Sequence, residues 1–171
     1  ITETYAATRI YTVTAEDASK ATQALFNTFT DFTFQNAATR KSLQRTGAIL
    51  EKLGISNEKF AQSIQVSTKG LGMSADEAGQ SMIDLEKYAR ELGVSPERLS
   101  QQFLDASDSL QKLGENGDEA FRDLAAAAKV TGLEVNKLLN IVNKFDTFEG
   151  AARQAGKLNA ALGGNFVNAM D

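Results

Sequence analysis

The sequence holds no histidine, no cysteine, no tryptophan and only one proline. Each absence removes a class of chemistry. Without histidine there is no ordinary general base near neutral pH. The Ser-His-Asp and Cys-His nucleophile systems and the usual zinc sites go with it. Without cysteine there is neither a disulfide nor a thiolate. No glycine-rich phosphate loop of the GxxxxGK[ST] or GxGxxG form occurs. No apolar run approaches the roughly 18 residues that a membrane helix needs. The longest, Leu124 to Ala128, is mostly alanine. The net charge of −4 over 171 residues is spread thinly and leaves no basic face for nucleic acid. The sequence opens on Ile1 and ends within an apolar stretch at Met170, and it reads as a segment of a longer chain from which no signal peptide is inferred.

What is present is a recurring dipeptide. Leu53-Gly54-Ile55-Ser56, Leu71-Gly72-Met73-Ser74 and Leu92-Gly93-Val94-Ser95 are three copies. Leu113-Gly114 opens a looser fourth, and Thr131-Gly132-Leu133-Glu134 a fifth. Each copy reads as a helix stop followed by a helix start. Glycine ends one helix in the left-handed conformation, and serine caps the next by accepting from a free backbone N–H. Ser74 with Glu77 spells a capping box, and Pro96 stands at a first helical position, where its missing N–H costs nothing.

The glycines lie 18, 21, 21 and 18 residues apart. Apolar residues recur at fixed offsets behind them. Gly54 is followed by Phe60, Ile64, Ser67 and Leu71, and Gly72 by Ala78, Met82, Leu85, Ala89 and Leu92. Gly93 gives Leu99, Phe103, Ala106, Leu110 and Leu113. Gly114 gives Ala120, Leu124, Ala127 and Thr131, and Gly132 gives Leu138, Val142 and Phe145. Steps of four and three mark one stripe of an amphipathic helix. The predicted helices cover 57–70, 75–91, 96–112, 118–130, 134–145 and 148–162, with Gly163-Gly164 ending the last.

The beginning is different. Residues 1–14, with Tyr5, Ile10, Tyr11 and Val13 among threonines, predict an extended arm. Thr14 and Asp17 then open a helix with Ala18, Ala21, Leu25, Phe29 and Phe32 on one side. Unbroken, it becomes a long N-terminal helix over 15–53, a length suited to a coiled-coil partner. A short strand over Thr28–Phe34 is the competing expectation, because Thr28, Thr30 and Thr33 weaken helix propensity. Residues 54–171 form the helical repeat domain. The whole predicts an all-α fold of short antiparallel helices, a bundle or short α-solenoid, with an extended N-terminal arm.

Other motifs are weak. Ser109-Leu-Gln-Lys112 spells the SxxK of some serine acyl enzymes, but Leu110 is a stripe residue. Glu115 to Glu119 clusters oxygen ligands without the spacing of a calcium loop, so Asp118 is expected to cap the next helix. Asp105 and Asp108 fall on the face opposite the stripe. Leu92 to Leu99 looks like the turn of a helix-turn-helix DNA reader. Residues 95–113 carry Arg98 and Lys112 against Glu97, Asp105 and Asp108, so the charge that grips phosphate is missing.

The spelling Leu92-Gly-Val-Ser-Pro-Glu-Arg-Leu99, after a helix ending Tyr88-Ala-Arg-Glu-Leu92, resembles the helical core of bacteriophage tail tape measure proteins. So do Ala125 to Val135 and Phe148 to Gly164. The resemblance covers roughly residues 50–165. It implies a structural virion protein that lies in the tail tube or near the baseplate hub, takes part in tail length determination and assembly, and leaves with the DNA. Implied partners are the tail tube, the baseplate hub and other copies of the chain, in a homo-oligomeric assembly. No cofactor, metal, small-molecule substrate or catalytic residue is implied. The segment lacks the family's long rod and its hydrophobic membrane segment. A helical adaptor that binds proteins inside a cell is the alternative, and a helical accessory domain of a larger enzyme is a third.

Four of the ten phenylalanines fall between residues 26 and 34. Phe26, Phe29, Phe32 and Phe34 are therefore the candidate partner interface, since aromatic patches of that size mark contact surfaces. The competing reading puts them under the repeats as core.

Overall fold

The computed structural model describes residues 12–144. It contains α1 (Ala15–Thr28), α2 (Ala37–Lys52), α3 (Asn57–Gly70), α4 (Ala75–Leu92), α5 (Pro96–Gln111), α6 (Gly117–Thr131) and α7 (Val135–Lys144). Short 3₁₀ turns occupy Phe32–Phe34 and Gly114–Asn116, and no strand occurs among the described residues. The fold is all-α, as its periodicity predicts. Of the expected arm, residues 1–11 lie outside the described residues, as does the helix expected over 148–162. None of the described helices is long and apolar enough to cross a membrane.

The glycine punctuation is literal. Gly54, Gly72, Gly93, Gly114 and Gly132 are the described residues with positive φ. In every case the next helix begins three residues later. The Ile55 N–H donates to Leu50 O and the Val94 N–H to Ala89 O, both at 2.9 Å, the long closing bond of a glycine C-cap. Ser56, Ser74 and Ser95 accept from the N–H groups of Lys59, Glu77 and Arg98. Thr14 with Asp17, and Ser74 with Glu77, form complete capping boxes.

A single long helix over 15–53 does not form. α1 stops at Thr28, Phe29 turns extended, and Asn36 restarts the chain by accepting from the Thr39 N–H at 2.9 Å. The threonines disfavour a helix here, as the sequence implies. The strand over Thr28–Phe34 does not form either. A tight 3₁₀ turn carries both Phe29 and Phe32 into the interior, which a strand, with residues three apart on opposite faces, would not do.

The stripes behind Gly54, Gly72 and Gly93 are buried through Phe60, Ile64, Ser67 and Leu71, then Ala78, Met82, Leu85 and Ala89, then Leu99, Phe103, Ala106 and Leu110, but their expected last members Leu92 and Leu113 are half-buried and exposed, because they lie at the helix ends beside the glycine turns. The offset rule fails in α6. Gly117, Phe121 and Ala125 are buried there, and the expected Ala120, Leu124, Ala127 and Thr131 are not. A Cβ on Gly117 would stand 2.8 Å from the carbonyl oxygen of Leu110, so the helix starts hard against the end of α5. That start favours Phe121, the larger side chain, which meets Phe103 edge to face with ring centroids 5.3 Å apart. In α7, Val135 and Leu139 are buried in place of Leu138. Asp118, expected as the cap, lies instead inside the first turn of α6.

The chain divides into two compact units, residues 1–123 and 124–171. Within the first, α1 packs extensively on α2 and α3, α2 on α3 and α4, α3 on α4 and α5, and α4 on α5. A polar link repeats along this arrangement. The acid at the second position of a helix accepts from a side chain two helices upstream. Thr39 of α2 donates to Asp76 of α4 at 2.7 Å, and Ser81 of α4 donates to Asp118 of α6 at 2.8 Å. Lys59 of α3 reaches Glu97 of α5 at 2.5 Å. The three acids are 21 residues apart, each four residues after its glycine. They also sit in the first helical turn, where a carboxylate is favoured by the helix dipole.

Candidate functional site

The four phenylalanines do not form one surface. Phe29 and Phe32 are 1% and 4% exposed, whereas Phe26 and Phe34 are 64% and 84% exposed. The interface expected from all four is therefore halved. Phe29 and Phe32 belong to the core because they continue the stripe of Ala21 and Leu25 at four-and-three spacing. Phe26 and Phe34 stand off that stripe and remain in solvent.

The turn that carries Phe34 is fastened at several points. The Thr30 N–H donates to Gln65 Oε1 at 3.0 Å, and Asp31 pairs with Lys69 at 2.5 Å, both partners coming from α3. Arg40 of α2 donates to the Thr33 carbonyl at 3.2 Å, and the Phe34 N–H to the Asp31 carbonyl at 3.0 Å. The tethers come from two helices and close a loop of fewer than ten residues, so Phe34 is held out from a defined backbone. Sequence reading missed these tethers. Gln65 and Lys69 lie four apart on one helical face, which is the only signal that they act together.

Charge is organised around helix starts. The Asp17 carboxyl is lowered to about 2, first by Lys52, then by the Thr14 N–H and hydroxyl. The Glu77 carboxyl is lowered by the Ser74 N–H and hydroxyl of its capping box. Burial pushes the Glu97 carboxyl up, but Lys59 and the Ser56 N–H outweigh it and hold it below its ordinary range. Burial, joined by the charge of Asp123, raises the Tyr88 phenol, which donates to the Arg122 carbonyl at 2.9 Å. Glu86 is buried in α4 and takes its hydrogen bond from Arg90 one turn on. Each of these contacts ties one structural element to itself or to a neighbour.

Two open polar clefts exist in the first unit. One, of about 510 Å3, lies between the Leu71–Met73 turn and Glu77, Asp84, Asp118 and Arg122. The other, of about 460 Å3, lies beside Lys20, Asn27, Glu51 and Glu58. Neither joins a nucleophile to a base, and no group of three metal-ligating side chains occurs among the described residues. Ser109 and Lys112, the SxxK pair, flank the buried Leu110 on an ordinary amphipathic helix. Among the described residues two phenylalanine rings, Phe26 and Phe34, are exposed, the second on a braced turn. No family model, curated protein or solved structure matches the chain.

Proposed function

We propose that this chain is a structural segment of a tailed-phage virion, part of a tape measure protein lying in the tail tube or near the baseplate hub. The observation that carries the reading is the recurrent Leu-Gly-apolar-Ser punctuation between near-equivalent helices, in the spelling that resembles that family. Helices that pack on near neighbours in sequence, with polar links between helix starts, suit a protein whose task is to occupy length and touch protein walls. In this reading the partners are tail tube subunits, the hub and further copies of the chain, and the segment carries no reaction.

A second reading, an intracellular helical module that binds other proteins, is favoured by one observation: Phe34 is held in solvent by a braced turn. Quantitative peptide mass spectrometry of purified particles separates the two. A tape measure segment is present in full particles and depleted from tails that have released their DNA. If its peptides are absent from full particles, the virion reading fails and the intracellular module takes its place.

A further inference from the structure

Gly117 is fixed by packing. A Cβ there would stand 2.8 Å from the Leu110 carbonyl oxygen and 2.8 Å from Leu71 Cδ2, and the first of these is backbone that cannot step aside. A residue with a side chain would push α6 off the end of α5. The residue before Gly117 is Asn116, so the seam between the two helices is spelled Asn-Gly. Asn116 is the only asparagine of the chain that glycine follows. Glycine lacks the side chain that ordinarily shields the next backbone nitrogen from the asparagine amide.

Asn116 is exposed on the 3₁₀ turn Gly114–Asn116. The turn keeps the reacting groups apart. The Gly117 N–H is spent on the Gly114 carbonyl, and the Asn116 N–H donates to the Leu113 carbonyl at 3.3 Å. Gly117 itself is buried. A base must take the Gly117 proton before that nitrogen attacks, and it reaches the proton only when the turn opens.

We propose that Asn116 is a site of spontaneous deamidation through a succinimide, gated by the hydrogen bond from Gly117 to Gly114. The Gly117 nitrogen bonds to Asn116 Cγ, the Cγ–Nδ2 bond breaks, and ammonia leaves with the proton lost from the Gly117 nitrogen. Water then opens the ring. Attack at Cγ gives aspartate. Attack at the backbone carbonyl carbon gives isoaspartate, whose main chain runs through Cβ and Cγ and is one methylene longer. That methylene enters directly before the residue seated on Leu110. It displaces the start of α6, and with it Asp118, which accepts from Ser81, and Phe121, which packs on Phe103. The proposal holds on either reading of function, because it rests on the packing of this chain alone.

Peptide mapping by mass spectrometry of the whole chain, aged in native buffer at mildly alkaline pH, tests it. Electron-transfer fragmentation identifies isoaspartate. Asn116 should convert about tenfold faster or more than Asn27 and Asn36, which are also exposed but precede threonine and alanine. Unfolding urea should speed conversion of Asn116 by about tenfold or more, since it removes the gate. Asn116→Gln should stay unconverted over the same time and keep its urea midpoint, whereas the aged parent chain unfolds at lower urea. Asn116→Asp carries the new charge without the methylene and should keep a midpoint near that of the unaged parent. A midpoint as low as that of the aged chain would overturn the role given to the methylene. Conversion at Asn116 no faster than at Asn27 and Asn36, or a rate unchanged by urea, overturns the proposal.

Discussion

Glu97 joins α5 to α3 through both of its carboxylate oxygens: one meets Lys59 Nζ at 2.5 Å, the other takes the Ser56 N–H at 3.0 Å. It therefore holds a helix start two places upstream while sitting in the first turn of its own helix. Glu97→Ala removes both contacts. Because Glu97 is partly solvated, the expected loss is about 1 kcal/mol, not the larger value of a buried pair. Urea unfolding of Glu97→Ala beside Glu97→Gln measures it. The glutamine keeps an acceptor for Ser56 and should recover part of the loss.

Gly93 occupies φ +65° with nothing within 4 Å of where a Cβ would stand. Gly93→Ala is thus a purely conformational change, and about 1 kcal/mol of destabilisation is expected. Gly79→Ala makes the opposite comparison, since its backbone is helical and its Cβ would stand 3.1 Å from Leu43 Cδ2. Thermal unfolding of the two variants separates a strained turn from a crowded contact. Gly93→Asn should lose less than Gly93→Ala, because asparagine tolerates that conformation better.

Phe121→Ala should cost about 3–5 kcal/mol, the range for emptying a buried aromatic site. Leu124→Ala, on the partly exposed stripe that the glycine offsets predict, should cost less than half as much. Chemical denaturation of the pair reads out the register of α6. Equal losses would put the offset rule back in force for that helix.

Acid should weaken the attachment of α1. The folded pKa of Asp17, about 2, lies below the ordinary value of 3.8. The stability it contributes is therefore complete above 3.8 and is lost as the pH falls toward 2. Asp17→Asn should show a shallower decline over that window in circular dichroism. An unchanged slope would place the acid sensitivity on another carboxylate.

The phenylalanines divide by role. Phe29→Ser empties a core site and should unfold the first unit or lower its Tm sharply. Phe34→Ser and Phe26→Ser should each leave stability within about 0.5 kcal/mol. If these two exposed rings are the contact surface, the paired serine variant keeps full helical content and loses binding of partners. Loss of helical content in that variant would mean that the rings support the fold.

Much of this was legible before any coordinate. The stop at each glycine and the start at Ser56, Ser74 and Ser95 follow from local backbone chemistry, which needs no knowledge of neighbours. The stripes of α3–α5 follow from period alone. The register of α6 was not legible, because it is set by Gly117 meeting the Leu110 carbonyl, a contact across a turn. The break after Thr28 was half legible in its threonines, and the capping role of Asn36 completed it. The sorting of the aromatic cluster was written in the stripe itself: Phe29 and Phe32 keep four-and-three spacing with Leu25, and Phe26 and Phe34 do not. The acid links were hidden because their donors keep no common register: Thr39 and Lys59 stand third in α2 and α3, but Ser81 stands seventh in α4.

In the first unit, extensive packing joins each helix only to those one and two places away. A gene encoding such a chain can duplicate or lose a pair of helices without orphaning a distant partner. Gly72 to Gly114 spans such a pair in 42 residues. Insertions and deletions in multiples of that cassette leave the seams on either side chemically familiar, so the size of the protein becomes a trait that evolution can adjust in increments.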